Sequence, residues 1–169
     1  MTHESDGPWY YQQVNLGFNY RMTDMQAALI ISQLDKLPRF QARRAQIVEK
    51  YNRAFSRLPE LFVQKEIPES ETTRHLYILR LRSERLRIDR RRFFDYMAAE
   101  NICCNVHYLP VYLHPYYRRL GYAPGLCPEA EKLYAEEMSL PLYYGLTDKD
   151  VDDVIHAVEK IVAYARKAL

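Results

Sequence analysis

The sequence predicts an α+β domain in which a few short strands form a small sheet with helices on one side. The predicted elements run as two helices, then strand, helix and strand, an aromatic loop, and finally helix, strand and helix. Three predicted strands are too few for a doubly wound parallel sheet. A chain of 169 residues that is 48% hydrophobic can bury a real core, which excludes a disordered chain.

Two helices are predicted in the first third of the chain. Thr23 and Gln26 have the spacing of a capping box, so a helix should begin directly after Thr23 and end near residue 37. A proline then fits the first turn of a second helix over residues 38–57. The polar, proline-bearing segment 58–74 is predicted to be a surface connection.

A strand, a helix and a second strand follow. Residues 75–82 alternate and are rich in strand formers, which predicts a strand. Asp89 can cap a helix that runs to about Asn101. Residues 102–108 are predicted to form a second, short strand that ends before Pro110.

The last part of the chain begins with an irregular aromatic segment, residues 111–128. A helix is predicted over 128–138, followed by an extended piece over 139–143 whose proline favours an edge position. The final helix has the clearest pattern, with a cap at Thr147 and apolar residues at three-and-four spacing. Those apolar residues are Val151, Val154, Ile155, Val158, Ile161, Val162 and Ala165.

Composition excludes several classes of function. Glycine accounts for 5 of 169 residues, about 3% against a usual share near 7%. No group of these glycines has the spacing of a dinucleotide fingerprint or a P-loop. No apolar run approaches the roughly 18–20 residues of a membrane span, and the first residues lack the apolar stretch of a signal peptide. We therefore expect a cytoplasmic protein without a membrane partner.

Residues 80–92 contain seven arginines against Glu84 and Asp89. A nucleic-acid-binding arm has this composition, so a basic nucleic-acid-binding domain stays open as an alternative. The favoured interpretation is a solvated or internally paired face, with no nucleic acid bound. The expected partners are the acids around the final helix, which are Asp148, Asp150, Asp152 and Asp153.

The three cysteines are expected to be free, buried thiols. Their odd number and the adjacent pair Cys103 and Cys104 make a poor disulfide framework. Adjacent strand residues point to opposite faces, so these two thiols cannot readily share a metal ion with His107. A nucleophilic pair of Cys104 with a nearby histidine is not predicted, because no acid has a position in the sequence that would orient the imidazole. No metal site is predicted.

Two segments place polar side chains beside helix or strand ends. Asn19 and Arg21 alternate with aromatic residues just before the first helix, where an amide and a guanidinium could face an anion. His107 and Tyr108 end the second predicted strand before the aromatic loop. The simpler alternatives are that the first pair satisfies local backbone groups and that the histidine is structural.

These segments carry a resemblance to a known family. The motifs run in order over nearly the whole chain: Gly17-Phe18-Asn19-Tyr20-Arg21-Met22-Thr23-Asp24, Gln26-Ala27-Ala28-Leu29, Val106-His107-Tyr108, His114-Pro115-Tyr116-Tyr117, Ser139-Leu140-Pro141-Leu142 and Gly145-Leu146-Thr147-Asp148. The chain resembles the DegT/DnrJ/EryC1/StrS sugar aminotransferases, which use pyridoxal phosphate to aminate keto groups on nucleotide-linked sugars. It looks most similar to transaminases that make 4-amino-4,6-dideoxy sugars for surface glycans, including the altrosamine type.

The resemblance implies a fold and a set of roles. The fold would be the small C-terminal domain of a fold-type I aminotransferase, with a short, mostly antiparallel sheet. Asn19 would reach across a dimer interface to the phosphate of the cofactor, pyridoxal phosphate, and Arg21 would support that end of the site. His107 and Tyr108 would orient the nucleotide-linked sugar.

The family's reaction also needs a lysine that binds the cofactor covalently and an acid beside its pyridine nitrogen. None of the seven lysines here resembles the family's serine-to-lysine segment followed by glycines. We therefore expect the C-terminal part of such an enzyme, without catalytic residues of its own, inactive alone, and partnered by a second copy or by the missing N-terminal half. A non-catalytic dimerisation or sugar-nucleotide-binding module is the alternative.

The resemblance also implies how the chain is divided. Residues 1–22 would be an interface loop, 23–58 a helical connector and 59–169 the small α/β sandwich, with the cofactor-binding large domain absent. Such a fragment leaves uncovered apolar surface, for which Trp9-Tyr10-Tyr11 and the first helix are the candidates. Self-association is the expected outcome.

Overall fold

A computed structural model of the chain describes residues 7–18 and 20–167. The chain forms two compact units, which divide between Leu37 and Pro38. This division falls inside the predicted connector of residues 23–58. The second of the two helices predicted in this connector packs with the second unit. The assignment of an interface loop, a connector and a sandwich domain stays a prediction.

Helix α1 (Asp24–Leu34) dominates the first unit. The predicted capping box is present: the Gln26 N–H donates to Thr23 Oγ1 over 3.3 Å, and the Thr23 N–H donates to Gln26 Oε1 over 3.0 Å. None of the residues of α1 is buried. The predicted apolar surface is thus exposed, and it includes Trp9, Tyr11, Met25, Leu29, Ile31 and Leu34.

The second unit contains α2 (Leu37–Phe55), which begins at the last residue of the first unit, and a series of shorter elements. In chain order these are β1 (Leu61–Val63), β2 (Tyr77–Leu81), α3 (Arg90–Ala99), α4 (Pro115–Arg119), α5 (Pro128–Glu136), β3 (Glu137–Leu140) and α6 (Asp148–Ala165). Single 3₁₀ turns lie at Ser83–Arg85 and Val111–Leu113.

Within the described residues the strands form one antiparallel sheet in the order β1-β2-β3. Leu79 in the middle of β2 pairs with Val63 on one side and with Met138 on the other. Alternate residues of β2 are buried, as the period of a strand requires. Their core is shared with the buried faces of α2, α3 and α6. The predicted α+β class with a short antiparallel sheet is confirmed.

Strand β1 contradicts the prediction that residues 58–74 are only a surface connection. Its three residues are too few to show an alternating pattern, and they lie in a polar, proline-bearing segment. Pairing with β2, which is distant in sequence, makes them a strand. The pairing of β1 with β2 is continued by the hydrogen bond from the Arg82 N–H to the Glu60 carbonyl, over 2.8 Å.

The predicted strand over residues 102–108 is also wrong. A single antiparallel bridge, from Asn105 to Ser139, is what this segment forms with the sheet. The next two backbone donors are taken by side chains: the Val106 N–H donates to Asn105 Oδ1, and the His107 N–H donates to Glu137 Oε1. Because side chains replace the backbone acceptors, the pairing of this segment with β3 stops after the single bridge.

The helices follow the sequence pattern more closely. α6 begins after Thr147 with the predicted cap, in which Asp150 completes the box. Its predicted apolar face is buried against the sheet core. The extended piece predicted at 139–143 is observed as β3, displaced toward the N-terminus and at the edge of the sheet as predicted. The aromatic segment is less irregular than expected, since it contains α4.

The prediction of free thiols is confirmed for all three cysteines, and the prediction of burial is confirmed for one of them. Cys104 is buried, and burial raises the pKa of its thiol to about 12. Cys103 and Cys127 are exposed. The opposite exposure of the adjacent pair agrees with the expectation that they face opposite ways. In residues 7–18 and 20–167, no group of three His, Cys, Asp or Glu side chains is placed to hold a metal ion.

The predicted acid partners of the basic stretch are wrong. The acids around α6 are engaged by neighbours: Asp148 pairs with Arg43, Asp152 with Lys50, and Asp153 with Lys149. Arginines of the stretch instead use other groups. Arg80 pairs with Glu136 at 2.6 Å, and the Arg87 guanidinium donates to the Tyr164 carbonyl. No helix in the described part of the chain has the length and apolar character needed to cross a membrane.

Candidate functional site

The segment that carries His107 and Tyr108 leaves α3 through a tight helix end. Asn101 adopts a left-handed conformation with φ of 61°. The Asn101 N–H donates to Ala98 and the Ile102 N–H donates to Met97, both over 2.9 Å. This is the Schellman pattern, in which asparagine occupies the position that glycine usually takes. The chain is thereby turned back along the sheet.

Asn105 then fastens the segment to the free edge of β3. The Asn105 N–H donates to the Ser139 carbonyl over 3.1 Å, and the Ser139 N–H donates back over 2.7 Å. The other edge of β3 is occupied by β2. Residues 105–108 therefore lie beside the outer edge of a strand whose position the core determines.

Two buried side chains of β3 hold His107. The His107 N–H donates to Glu137 Oε1 over 2.9 Å, and ring atom Nδ1 lies 2.7 Å from Ser139 Oγ. Glu137 is 1% exposed and Ser139 is 4% exposed. They project from the same face of the strand because they are two residues apart. Both the backbone and the ring of His107 are consequently fixed, while the residue itself is half-buried.

Tyr108 is the exposed member of the pair. It is 73% exposed, and its ring meets the His107 ring edge-on with centroids 4.7 Å apart. The His107–Tyr108 peptide bond is cis. Within the described residues, His107 Nε2 has no hydrogen-bond partner. An imidazole nitrogen and a phenol are thus available to hydroxyl, carbonyl or phosphate oxygens of a ligand.

Glu137 determines the electrostatics behind this surface. Burial raises the pKa of its carboxyl group, since removal from water disfavours the charged form. The His107 N–H bond and the nearby Arg90 guanidinium act in the opposite direction and favour the carboxylate. Arg90 itself donates to the Tyr134 carbonyl. A buried acid therefore supports the histidine from within the sheet.

A second cluster holds the aromatic segment after Tyr108 in place. The Tyr112 hydroxyl donates to Glu131 Oε1 over 2.5 Å, and the Gly125 N–H donates to the same oxygen over 2.6 Å. These bonds hold the pKa of Glu131 below its ordinary value. The Cys127 N–H donates to the Tyr112 hydroxyl. The loop before α5 is thereby tied to the 3₁₀ turn that follows the His107 segment.

The other predicted site residues lie in the first unit. Arg21 is exposed, and Asn19 lies outside the described residues. Phe18 and Tyr20, which flank Asn19, stack on each other with ring centroids 5.7 Å apart. Both rings are exposed, so they pack against one another rather than against a core. His107 and Tyr108 are thus the predicted site residues whose surroundings the structure defines.

Sequence reasoning missed Glu137 and Ser139. Strand β3 is short, and its start was placed two residues too late, which left Glu137 in a helix. The available signal was the polar spacing of the two residues: they lie two apart and flank Met138 before an apolar run. Polar residues on one face of a buried strand mark a place where a partner must satisfy them.

The comparisons with known proteins agree with this fold. The sequence profile of the DegT/DnrJ/EryC1/StrS aminotransferase family matches residues 2–159. The chain belongs to this family. One relative is the uncharacterized protein MJ1066 of Methanocaldococcus jannaschii, which is 41% identical over 97% of this chain. Another is the spore coat polysaccharide biosynthesis protein SpsC of Bacillus subtilis, which is 38% identical over 95% of this chain.

A solved structure extends the likeness to the fold of the family. Spr1654 of Streptococcus pneumoniae, provisionally assigned as a sugar aminotransferase, matches 95% of this chain with a TM-score of 0.83 and 32% identity in its apo form. It has also been solved in forms with pyridoxal phosphate and pyridoxamine phosphate. The chain spans 43% of MJ1066, 42% of SpsC and 40% of Spr1654, about two fifths of their lengths.

The surroundings of the lysines bear on how the family's cofactor could be attached. Covalent attachment needs a lysine that is deprotonated by its surroundings, but no lysine in the described ranges is buried. Three pair with acids and one donates to backbone carbonyls: Lys50 with Asp152, Lys149 with Asp153, Lys160 with Glu100, and Lys167 with Ser83 and Glu84. The hydrogen bond to Asp153 raises the pKa of the Lys149 ammonium, which favours its charged form.

Proposed function

We propose that this chain is the C-terminal portion of a pyridoxal-phosphate-dependent nucleotide-sugar aminotransferase that acts in surface glycan or amino-sugar biosynthesis. The observation that carries the proposal is the fixed His107 and the exposed Tyr108 at the edge of β3, in a member of this family. The two side chains bind and orient the nucleotide-linked sugar. Their roles are positioning ones.

The same proposal assigns cofactor binding to residues of the first unit. Asn19 and Arg21 contact the cofactor phosphate, the first as an amide donor and the second as a cation. The family motif around these residues supports this assignment. The chain does not transaminate without further residues, because its lysines do not resemble the attachment segment of the family. It works as a homodimer or with the N-terminal part that its relatives contain.

Binding of a nucleotide-linked sugar tests the role of His107. Titration calorimetry of the chain with a uridine-diphosphate sugar should detect binding, and His107→Ala should weaken the affinity by roughly tenfold, the value of about one hydrogen bond. His75→Ala is the matched control, because this exposed histidine is on another segment. Equal binding by wild type and His107→Ala would reject the proposed role.

Covalent labelling tests the proposal that the chain is inactive alone. Incubation with pyridoxal phosphate and a reductant should leave no lysine labelled at a defined site, as read by peptide mass spectrometry. The physical reason is that the ordinary pKa of a lysine side chain lies well above neutral pH, and a protonated amine is not a nucleophile. One stoichiometric adduct with measurable turnover would contradict the proposal. Sugar binding without any gain of activity when the N-terminal part is added would instead favour a non-catalytic binding module.

A further inference from the structure

The hydrogen bond between Ser139 and His107 indicates which ring nitrogen of the histidine carries the proton. Ser139 is 4% exposed, and within the described residues His107 Nδ1 is the one partner of its hydroxyl oxygen. If Nδ1 carried the ring proton, it would donate to Oγ, and the serine proton would be buried without an acceptor. An unpaired buried donor is costly. If the hydroxyl donates to Nδ1, both groups are satisfied and the ring proton lies on Nε2.

Glu137 restricts the backbone of the same residue. Its Oε1 accepts the His107 N–H, and its position is set by the pairing of β3 with β2, in which Glu137 lies opposite Arg80 and Ser139 lies opposite Ile78. The ring and the backbone of His107 are thus both attached to one strand. A rotation of the imidazole would break the serine contact, and a shift of the segment would break the glutamate contact.

We propose that Ser139 and Glu137 are positioning residues that hold His107 as the Nε2–H tautomer, so that the imidazole donates a hydrogen bond to the ligand. The part of the ligand bound here is therefore an acceptor oxygen, such as a phosphate, carbonyl or hydroxyl oxygen. The assignment of the ligand rests on the proposed function, whereas the tautomer and its cause do not depend on it.

The tautomer is measured directly by long-range ¹H–¹⁵N NMR of the histidine rings in the ¹⁵N-labelled chain. At about pH 8, above the ordinary histidine range, His107 should show a protonated Nε2 and an unprotonated Nδ1. Ser139→Ala should convert it to a mixture of tautomers, and Ser139→Thr, which keeps the hydroxyl, should restore the wild-type pattern. A wild-type ring protonated at Nδ1, or an unchanged pattern in Ser139→Ala, would overturn the proposal.

Amide hydrogen exchange tests the role of Glu137. Glu137→Ala removes the acceptor of the His107 N–H, so exchange of this amide should accelerate at least tenfold. Glu137→Gln retains an acceptor oxygen and should keep the exchange slow. Unchanged protection of the Val158 amide in the core of α6 controls for general loosening. Equal exchange rates in the alanine and glutamine variants would reject the positioning role.

Addition of uridine diphosphate N-acetylglucosamine separates the two proposals. The His107 Nε2 signal of the wild-type chain should shift during the titration, which would support both the tautomer and the ligand. The predicted tautomer without any shift would reject the sugar-nucleotide assignment and leave the positioning roles supported. A shift from a ring protonated at Nδ1 would support sugar-nucleotide binding and reject the positioning proposal.

Discussion

Single buried residues define the candidate site more than its exposed ones do. Glu137 has one oxygen bonded to the His107 N–H, and its second oxygen is buried without a partner among the described residues. A buried carboxyl group of this kind is unfavourable when charged. The strand nevertheless places it there, directly behind the histidine. The ionisation of Glu137 is therefore linked to the stability of the second unit.

This linkage has a definite sign. The folded-state pKa of Glu137 is raised from 4.5, so between pH 4.5 and the raised pKa the native state binds more protons than the unfolded state. The free energy of unfolding therefore falls as the pH rises through this range. Glu137→Gln cannot titrate, so urea denaturation should show the variant gaining stability relative to wild type as the pH rises above 4.5.

The matched variant Glu159→Gln removes a carboxyl group from the exposed side of α6. It controls for the general loss of one negative charge. In this control Glu137 is still present, and the charged or titratable groups that act on it are still His107 and Arg90. A stability difference for Glu137→Gln that stays constant, or reverses with rising pH, would contradict the assigned burial effect.

At the scale of elements, α1 and α6 begin in the same way but differ in what they contact. Both carry a complete capping box, formed by Thr23 with Gln26 and by Thr147 with Asp150. α6 buries a full apolar face in the core, whereas α1 buries none of its residues. Local sequence therefore defines where each helix begins. Tertiary packing decides how much each helix contributes to the free energy of unfolding.

Removal of each cap should reveal this difference. Thr147→Ala should lower the free energy of unfolding by about 1 kcal/mol, because the Asp150 N–H loses its acceptor at the start of a packed helix. Thr23→Ala should leave the melting of the second unit unchanged. Thermal denaturation followed by near-ultraviolet circular dichroism reports on that core. Thr73→Ala, at an exposed loop position, is the control, and equal effects of both cap variants would contradict the expectation.

At the scale of the whole molecule, the chain corresponds to about two fifths of its relatives and carries an extensive exposed apolar surface. The exposed residues of α1 include Met25, Leu29, Ile31 and Leu34. Exposed apolar side chains in water favour association with another apolar surface. We propose that a second copy of the chain supplies that surface.

Light scattering should therefore give an average mass that rises with protein concentration. The double variant Leu29→Ser with Ile31→Ser should reduce this rise, because it removes apolar area from α1 without changing charge. Gln33→Ser on the same helix is the control. A wild-type chain that stays strictly monomeric at high concentration would contradict the expectation, as would association that is unaffected by the double variant.

Much of the architecture could be predicted from local signals. The capping boxes at Thr23 and Thr147, the cap at Asp89 and the alternating residues of β2 each predict an element from neighbouring residues alone. His107 and Tyr108 are predicted as site residues from their place at the end of a predicted strand, which the structure shows as a single bridge, and from the family resemblance. β1 could not be found in this way, because three residues become a strand only by pairing with a distant one.

The sequence by itself determined the α+β class, the positions of the helices other than α4, and the family, because helix caps, apolar periodicity and motifs are properties of neighbouring residues. Tertiary structure alone decided that residues 102–108 form one bridge instead of a strand, and that Glu137 and Ser139 hold His107. These contacts join residues about thirty positions apart. Their formation depends on strand register, and register depends on which side chains the whole core can bury.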